Sequence, residues 1–575
     1  MALVTLVTYL NAAPPAAVHD DKFFVPSVFR LDRGGLRHIF TEDPWGAAGA
    51  PAGRYRPLLL ITFALDGVTY GTDLWGYHLT NIAIHVATTL LLLLVVGWLL
   101  ERAGTPHAVG WLAAAVAAAT FGVHPIHTEA VDSVFNRSEM LVALGTLVAF
   151  AAVIRWEPAR PVRAWTAVGA AFLAALLCRE NAAVLPVLVA ALVWLLHPEE
   201  DTRTRARRLA PVATLALPFA LYLVLRAVAL AHVVPPAAPP LSENLVDEGT
   251  LADRLALFLT TMREYLRMVV WPHPLRATYE NFAPTGVASA VVLQALLLGV
   301  ALWSWRRSPW LAFGLGFFYL ALLPSTRLLT AASHSSGFLA QPASGLILVA
   351  ERTLYMPSAG LVIPLAFALA ALGRRYGPAP VVAAGVALVA ALAPITYARN
   401  VDWHSDVALW EAEVRAEPAN GDAWRLLTGA YIGAGRNVDT ARACDRVLAA
   451  HPHLAQLANN CAIAYDRIGR LGDAEAAYQH AIGLGLASVG HANLGRLLER
   501  VGRRDEAERE FHAAYEAEQE PGRKHFRRGQ WLVKFHPEEL DEAEHEFEEA
   551  SELLPDWSLP RQALAQARAL RRHGG

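Results

Sequence analysis

The pattern of hydrophobic and polar positions changes near residue 400. Before that point, long apolar runs alternate with short polar loops, and after it apolar residues recur at helical spacing among charged ones. A helix needs roughly 20 apolar residues to cross a bilayer. Suitable stretches lie near 78–100, 108–123, 139–154, 164–178, 182–197, 209–231, 286–305, 309–325, 355–373 and 379–398. The pattern therefore predicts an all-α protein, with a polytopic membrane helix bundle followed by a soluble helical domain.

Arginine placement predicts how this bundle is oriented. Arginines cluster in the loops at 155–163, 203–208, 306–307 and 374–375, and basic loops favour the cytoplasm. Residues 251–270 form an amphipathic stretch that suits the interface rather than a span. Residues 2–10 are apolar but short, which indicates a short or truncated first span. The alternative for residues 1–17 is a cleaved signal peptide, although its basic region is missing. Together these features predict about eleven spans, with the N-terminus inside and the C-terminus outside.

The loops that this orientation places outside carry clusters of ionisable residues. Such groups are costly at the mouths of membrane helices unless they pair with each other or line a wet cavity. We therefore expect one polar chamber at the outer leaflet. Its candidate residues are Asp20, Asp21, Arg56, His124, His127, Glu129, Arg137, Arg179, Glu180 and Arg352.

The second half repeats with a period of about 34 residues. Leu427, Tyr431 and Gly435 of one unit correspond to Cys461, Tyr465 and Gly469 of the next. This is typical of tetratricopeptide repeats, which stack pairs of helices into a solenoid and bind extended peptides in a groove. Units are expected near 421–454, 455–487, 488–520 and 524–557, followed by a C-terminal cap helix.

Composition and cysteine content narrow the class of protein. With 54% hydrophobic and 18% charged residues, the chain is too apolar for an ordinary soluble protein. A net charge of -3 gives no reason to expect nucleic acid. Three cysteines are too few for a disulfide framework. Cys444 and Cys461 occupy core positions of adjacent repeats, which favours two buried thiols. A disulfide is the alternative if the outside is oxidising. The excess of arginine over lysine suggests a bacterial source.

An ordered series of motifs resembles one known family. An acid pair (Asp20-Asp21) is followed by the motifs Tyr55-Arg56-Pro57-Leu58, His124-Pro125-Ile126-His127-Thr128-Glu129, Arg137-Ser138-Glu139, Arg179-Glu180-Asn181 and Glu351-Arg352-Thr353-Leu354-Tyr355. This order, with the repeats, resembles the transmembrane and tetratricopeptide-repeat O-mannosyltransferases, relatives of the protein O-mannosyltransferases with the GT-C membrane fold. Arg179 stands where that family usually has lysine.

The resemblance implies an activity and an arrangement. Residues 1–400 would be a GT-C-like glycosyltransferase domain with the outer loop 11–77, and residues 401–575 a repeat domain on the outer or periplasmic face. The enzyme would transfer a sugar, mannose by resemblance, from a polyprenyl-phosphate donor to Ser or Thr hydroxyls of proteins. That donor is a substrate, so no cofactor is expected. The expected partners are membrane lipid, the donor and a protein acceptor held by the repeats. The expected location is a bacterial inner membrane, or the endoplasmic reticulum with lumenal repeats in a eukaryote.

The chemistry of this transfer assigns roles to the candidate residues. Asp20 or Asp21 would take the hydroxyl proton as a general base, and the resemblance favours Asp20. Phosphate binding would fall to Arg137, Arg179 and Arg352, with His124 or His127, because a guanidinium can bond two phosphate oxygens at once. Arg56 and Glu180 complete the donor-binding set. Glu129 would orient His127 or the sugar.

Several alternatives stay open at the level of sequence. The spacing of His124 and His127 also suits a metal, but a third ligand at useful spacing is missing, so no metal is expected. His78 and His85 could simply bond neighbouring helices, and Arg352 could anchor a helix at the interface. The same fold could transfer another sugar or modify a lipid or polymer. A non-catalytic, membrane-anchored adaptor is the third possibility, and the many polar groups in separate outer loops argue against it.

Overall fold

The computed structural model describes residues 1–14, 17–19, 21, 31, 33–41, 54–156, 159–230, 251–279, 285–326, 349–554 and 557–574. Within these ranges the regular elements are helices, as the sequence predicts. The chain divides into two compact units, Met1–Leu409 and Trp410–Gly575. Each unit is described by itself below.

The first unit is a bundle of apolar helices joined by short polar turns. Its helices are α1 (Ala2–Thr8), α2 (Arg33–Thr41), α3 (Pro57–Tyr70), α4 (Leu74–Arg102), α5 (His107–Gly122), α6 (Thr128–Asp132), α7 (Arg137–Trp156), α8 (Pro161–Cys178), α9 (Leu185–Leu196), α10 (Thr202–Arg208), α11 (Ala216–Leu230), α12 (Leu251–Val270), α13 (Val287–Ser304), α14 (Pro309–Leu322), α15 (Tyr355–Tyr376) and α16 (Pro378–Asp402).

The number of spans is smaller than expected. Among the described residues, seven helices are long and apolar enough to cross a membrane, or eight if a bent pair forms one span. This makes the chain an integral membrane protein, but the count of about eleven is not confirmed. The expected spans at 182–197 and 309–325 are shorter apolar helices, Glu180–Leu196 and Pro309–Ser325. The polar 3-10 turn Glu180–Val184 shortens the first of them.

Small residues allow the central helices to approach closely. At Gly314 on α14, an added Cβ would lie 2.6 Å from the Gly360 carbonyl oxygen. At Gly360 on α15, an added Cβ would lie 2.8 Å from the Phe317 side chain. Glycine pairs of this kind are frequent where membrane helices pack backbone against backbone. They allow the close crossing of α14 and α15, and Arg352 lies in the 3-10 turn Glu351–Leu354 directly before α15.

A bend between α5 and α6 brings the histidine motif into the bundle. The two helices turn by 52° across residues 123–124. His124 is extended, with φ -76° and ψ 129°, as expected for a residue that precedes proline. Pro125 then starts a new helical turn, because proline suits the first position of a helix. Every residue from His124 to Asp132 is buried as a result.

The second unit is built from pairs of antiparallel helices. After α17 (Asp406–Ala416), which crosses the boundary, come the pairs α18 (Gly421–Gly433) and α19 (Asn437–Val447), α20 (Ala455–Arg467) and α21 (Leu471–Gly483), α22 (Ala487–Arg500) and α23 (Arg504–Glu516), and α24 (Pro521–Phe535) and α25 (Leu540–Leu553), then α26 (Ser558–Gly574). Gly435 and Gly469 have positive φ at equivalent turns, 72° and 83°, where only glycine fits without strain. This is the tetratricopeptide solenoid that the period predicts.

The structure corrects the favoured interpretation of two cysteines. Cys444 and Cys461 form a disulfide with Cα atoms 5.6 Å apart, instead of remaining two buried thiols. The bond joins the second helix of one repeat to the first helix of the next, within the core of the repeat unit. Cys178 is free and buried in the membrane unit.

Candidate functional site

Asp21 is held in a cradle of three donors. Its carboxylate accepts hydrogen bonds from the Ser133 hydroxyl at 2.9 Å, the Val134 N–H at 3.1 Å and the Phe135 N–H at 2.8 Å. It is 1% exposed. A carboxylate bonded by several donors and removed from water is suited to fix a segment rather than to exchange protons. Asp21 therefore anchors its loop to the turn that follows α6.

Asp20 itself lies outside the described residues, but both of its neighbours in the chain are held. His19 donates its backbone N–H to Asp406 Oδ1 at 2.9 Å. His19 also has φ 52°, a left-handed conformation that is uncommon in residues other than glycine. Strained backbone of this kind concentrates at functional sites. Asp20 thus has an anchored residue on each side in the chain.

Helix α6 connects the acid-pair cradle to one of the predicted arginines. Glu129, in its first turn, accepts a hydrogen bond from the Arg352 main-chain N–H at 2.8 Å and pairs with the Arg352 guanidinium. Asp132 ends the same helix, directly before the cradle. Residues three apart lie on the same helix face, and three residues rise only about 4.5 Å. The structure therefore brings Arg352 and Asp21 to the two ends of one short helix.

Arg179 and Arg352 form a two-arginine site. The Arg179 guanidinium lies 3.1 Å from Glu139 Oε1 and donates to the Ser138 hydroxyl at 3.3 Å. Electrostatic repulsion from Arg56, and more weakly from Arg352, acts on Arg179, so the three cations lie in one region of the bundle. Each side chain is 13% exposed, whereas the glutamate partners are buried. Two partly accessible guanidiniums, each oriented by a buried carboxylate, are arranged as a phosphate site requires.

Arg137 is placed differently from these two. Its side chain is fully buried, 2.6 Å from Asp66 Oδ2, and donates to Asn81 Oδ1 at 2.6 Å and to the Tyr77 carbonyl at 3.0 Å. With its donors committed to protein, Arg137 holds α3, α4 and α7 together. The prediction that it binds phosphate is not supported by this geometry.

Arg56 and Glu180 bind each other. Arg56 donates to both Glu180 oxygens, at 3.2 and 3.0 Å, and links the start of α3 to the turn after α8. Burial alone would raise the pKa of the Glu180 carboxyl, but the Arg56 guanidinium bonded to it brings that pKa below its usual range. Glu180 is therefore an anion that orients Arg56. The pair supports the turn that carries Arg179.

The two histidines of the motif are bonded to protein on both ring nitrogens. His124 Nδ1 accepts from the Ile126 N–H at 3.3 Å, and Nε2 lies 2.9 Å from the Val269 carbonyl. His127 Nδ1 lies 2.9 Å from the Phe121 carbonyl, and Nε2 lies 3.0 Å from the Ser358 hydroxyl. These contacts shape the bend between α5 and α6. Neither histidine is left to bind phosphate, and Glu129 orients Arg352 instead of His127.

His85 and a group of one histidine and two acids in the repeat unit bear on the remaining alternatives. His85 lies 2.7 Å from the Tyr355 hydroxyl and 3.1 Å from the Gly122 carbonyl. It therefore bonds neighbouring helices, which is one of the alternatives that the sequence left open. Of the residues that the structure describes, His536, Glu538 and Glu539 are close enough together to hold a metal ion. That group belongs to the repeat unit, whereas the two motif histidines belong to the membrane unit.

Sequence reasoning missed Asp132. It is 2% exposed, and neither carboxylate oxygen makes a hydrogen bond within the described part of the chain. Arg399, Asp21 and Asp402 interact with it electrostatically. Two signals were present in the sequence. Asp132 follows Glu129 by three residues in a motif otherwise apolar at that point, and Arg399 directly follows the last predicted span, 379–398, where a charge is costly unless it is paired.

With this geometry, the chain is an integral membrane helix bundle joined to a tetratricopeptide solenoid. It is similar to protein O-mannosyl-transferases of the Tmtc group, which confirms the resemblance in the motifs. It is 24% identical to Tmtc3 of Drosophila melanogaster, over 89% of this chain and 58% of that protein. It is 32% identical to Tmtc2 of the same species, over 33% of this chain and 20% of that protein. The chain thus spans about half the length, or less, of these relatives.

Comparisons with family models and with solved structures do not define the family further. No family model matches the chain. A solved structure of the APC/C hetero-tetramer Cut9-Hcn1 aligns with 81% of this chain and with 91% of the chain in that structure. The sequence identity is 15% and the TM-score is 0.26.

Proposed function

We propose that the chain is a membrane glycosyltransferase that moves a sugar, mannose by similarity to its relatives, from a polyprenyl-phosphate donor to Ser or Thr hydroxyls of a protein. The relatives that are similar over most of this chain carry the name protein O-mannosyl-transferase. The observation that carries the proposal in this chain is α6. It joins the cradle of the acid pair at one end to Arg352 of the two-arginine site at the other.

The proposed reaction has a balanced course. The acceptor oxygen attacks C1 of the sugar, and the bond from C1 to the phosphate oxygen breaks. The phosphate leaves with the bonding electron pair, and Arg179 and Arg352 stabilise its added charge. The acceptor hydroxyl gives its proton to Asp20 as general base. Asp21 is already committed to three donors, and this favours Asp20 as the base.

The disulfide supports an outer location for the repeats. Disulfides persist in oxidising compartments and are rare in the cytosol. Cys444 and Cys461 form one in the repeat unit, which supports the outer C-terminus that the arginine pattern predicts. In the proposal, the repeats therefore face the same compartment as the acid pair and bind the protein acceptor.

The substitution Asp20→Asn tests this function. It removes the base, so transfer to an acceptor protein should fall by about 100-fold or more, while the amount of protein in the membrane stays unchanged. The assay supplies polyprenyl-phosphate mannose to membranes that contain the full chain. Glu101→Gln, at the far end of α4, serves as the matched control and should keep full activity. A well-expressed Asp20→Asn variant with normal transfer would remove the acid pair from the mechanism.

The donor sugar is tested separately. Polyprenyl phosphates that carry other sugars compete in the same assay, and preference for one of them replaces mannose without affecting the roles of the residues. Transfer to a lipid or polymer, but to no protein, would favour the alternative acceptor class.

A further inference from the structure

The turn that carries Arg352 is held by a tyrosine from another helix. The Tyr265 hydroxyl, on α12, lies 2.9 Å from the Thr353 hydroxyl and accepts a hydrogen bond from the Ala350 N–H at 3.4 Å. The Thr353 hydroxyl donates to the Ala350 carbonyl at 2.7 Å. Because a hydroxyl has one proton to give, Tyr265 donates its own proton to Thr353 Oγ1. The three residues close a ring of hydrogen bonds that encloses Arg352 in the chain.

A second contact fixes the position of α12. His124 Nε2 lies 2.9 Å from the Val269 carbonyl. Val269 follows Tyr265 by four residues, about one helical turn, so the two contacts hold neighbouring turns of α12. Tyr265 also belongs to a buried apolar cluster that contains Ile126 and Leu354. A shift of α12 would therefore break contacts both with the bend after α5 and with the turn before α15.

The hydroxyl of Tyr265 is more than packing requires. Tyr265 is 1% exposed, and phenylalanine would fill the same space without a polar group that needs a partner. A buried tyrosine hydroxyl usually finds a hydrogen-bond partner, and here the partner lies in the 3-10 turn Glu351–Leu354. Arg352 and Glu129 also interact electrostatically with this hydroxyl. The hydroxyl thus belongs to the surroundings of the two-arginine site.

The other residues of this turn are held as well. Glu351 is fully buried, and its Oε1 lies 3.2 Å from the Tyr279 hydroxyl. Glu129 binds Arg352 through both the main-chain N–H and the guanidinium. Every residue from 350 to 353 therefore has a partner in another element. A turn constrained in this way presents its guanidinium in one direction, as a preorganised site for a phosphate requires.

We propose that Tyr265 is a positioning residue of the phosphate site, and that its hydroxyl fixes the direction in which Arg352 meets the donor phosphate. The inference rests on the proposed function, because it takes Arg352 as a phosphate ligand. Tyr265 does not touch the donor and acts through the turn that carries Arg352. Its hydrogen bond orders this turn before the donor arrives, so less ordering is required on binding.

Titrations with polyprenyl-phosphate mannose test this role in matched variants. Tyr265→Phe keeps the ring and removes one hydrogen bond, so the donor KM should rise about fivefold, while the acceptor KM stays unchanged. Thr353→Val removes the other partner of the same bond and should cause a similar rise. The double variant should stay near about fivefold, because the two changes remove one shared interaction and do not add. Thr353→Ser keeps the hydroxyl and should recover most of the affinity that Thr353→Val loses.

A purely structural role for Tyr265 predicts different kinetics. Loss of folded protein would lower the apparent kcat and leave both KM values unchanged. Because Tyr265 acts through Arg352, Tyr265→Phe should add nothing to the donor KM of Arg352→Gln. Tyr376→Phe, at the exposed end of α15, is the matched control and should leave the donor KM unchanged. An unchanged donor KM in Tyr265→Phe, or its full effect in the Arg352→Gln background, would overturn the proposal.

Binding without turnover separates this proposal from the proposed function. Polyprenyl phosphate without a sugar is titrated against the full chain in membranes, and its affinity should fall about fivefold in Tyr265→Phe. If this fall occurs but no sugar is transferred, the function fails and the positioning role stands. If transfer depends on Arg352 but Tyr265→Phe binds the carrier normally, the function stands and the positioning role fails. Thr353→Val carries the same test if Tyr265→Phe does not accumulate.

Discussion

At the scale of single residues, acids and arginines that look alike in the sequence have different roles in the structure. Arg352 and Arg179 remain partly accessible beside Glu129 and Glu139, whereas Arg137 is sealed against Asp66. The distinction depends on how deeply each arginine is buried and on whether its N–H groups already bond to protein, and neither can be read from a sequence motif. Each arginine is oriented by a carboxylate, so the bundle carries its charges as pairs, as the low dielectric of a membrane interior demands.

This division predicts opposite outcomes for two arginines. Arg137→Met leaves Asp66 buried and unpaired, which typically costs about 3–5 kcal/mol, so the variant should lose thermal stability and accumulate poorly. Arg352→Gln leaves Glu129 the Arg352 main-chain N–H and a side-chain amide donor, but it removes the proposed cation for phosphate. It should raise the donor KM about tenfold, with normal membrane levels. Thermal-shift and donor-titration measurements on membranes distinguish the two.

The control for this prediction is a compensated pair. Asp66→Leu combined with Arg137→Met replaces the ion pair with apolar groups and should regain much of the lost stability. If Arg137→Met instead keeps its stability and loses donor affinity, Arg137 belongs to the phosphate site after all.

At the scale of elements, the positions of most helices were predictable from the sequence, whereas their lengths were not. The apolar runs and the 34-residue period located most of the helices. Helix α3 was missed, because residues 57–70 combine a short apolar run with Asp66 and Gly67. The bend at His124 was also hidden, since it arises from tertiary contacts of polar side chains. The spans predicted at 164–178 and 182–197 left a turn between them, and the structure has the 3-10 helix Glu180–Val184 there. The pairing of Glu129 with Arg352 is similarly long-range, 223 residues apart in sequence.

The disulfide between adjacent repeats gives a prediction for these elements. It closes a loop with a sequence separation of 17 residues, and such a bond stabilises by about 3 kcal/mol in the chain-entropy account. Changing Cys444→Ala and Cys461→Ala together should make helices α18 to α21 more sensitive to limited proteolysis in the full chain. Reductant should reproduce this effect in the unchanged protein.

Thiol counting provides the control. In denatured, unreduced protein only Cys178 should react with a thiol reagent, and reduction should add two reactive thiols. Three reactive thiols before reduction would contradict the bond. In the native state Cys178 should stay protected, because it is buried in the membrane unit.

At the scale of the whole molecule, the function proposed for the repeats depends on which side of the membrane they face. The arginine-rich loops at 203–208 and 374–375 are expected in the cytoplasm, and the disulfide favours an oxidising compartment for the repeats. An epitope tag at Gly575 should therefore be accessible from outside intact cells or vesicles, and a tag after Arg208 only once the membrane is opened. A tag at Gly575 that is protected while the Arg208 tag is exposed would invert the topology. The repeats would then face away from the compartment of the acceptor, and their proposed role in holding it would fail even if sugar transfer by the membrane unit persisted.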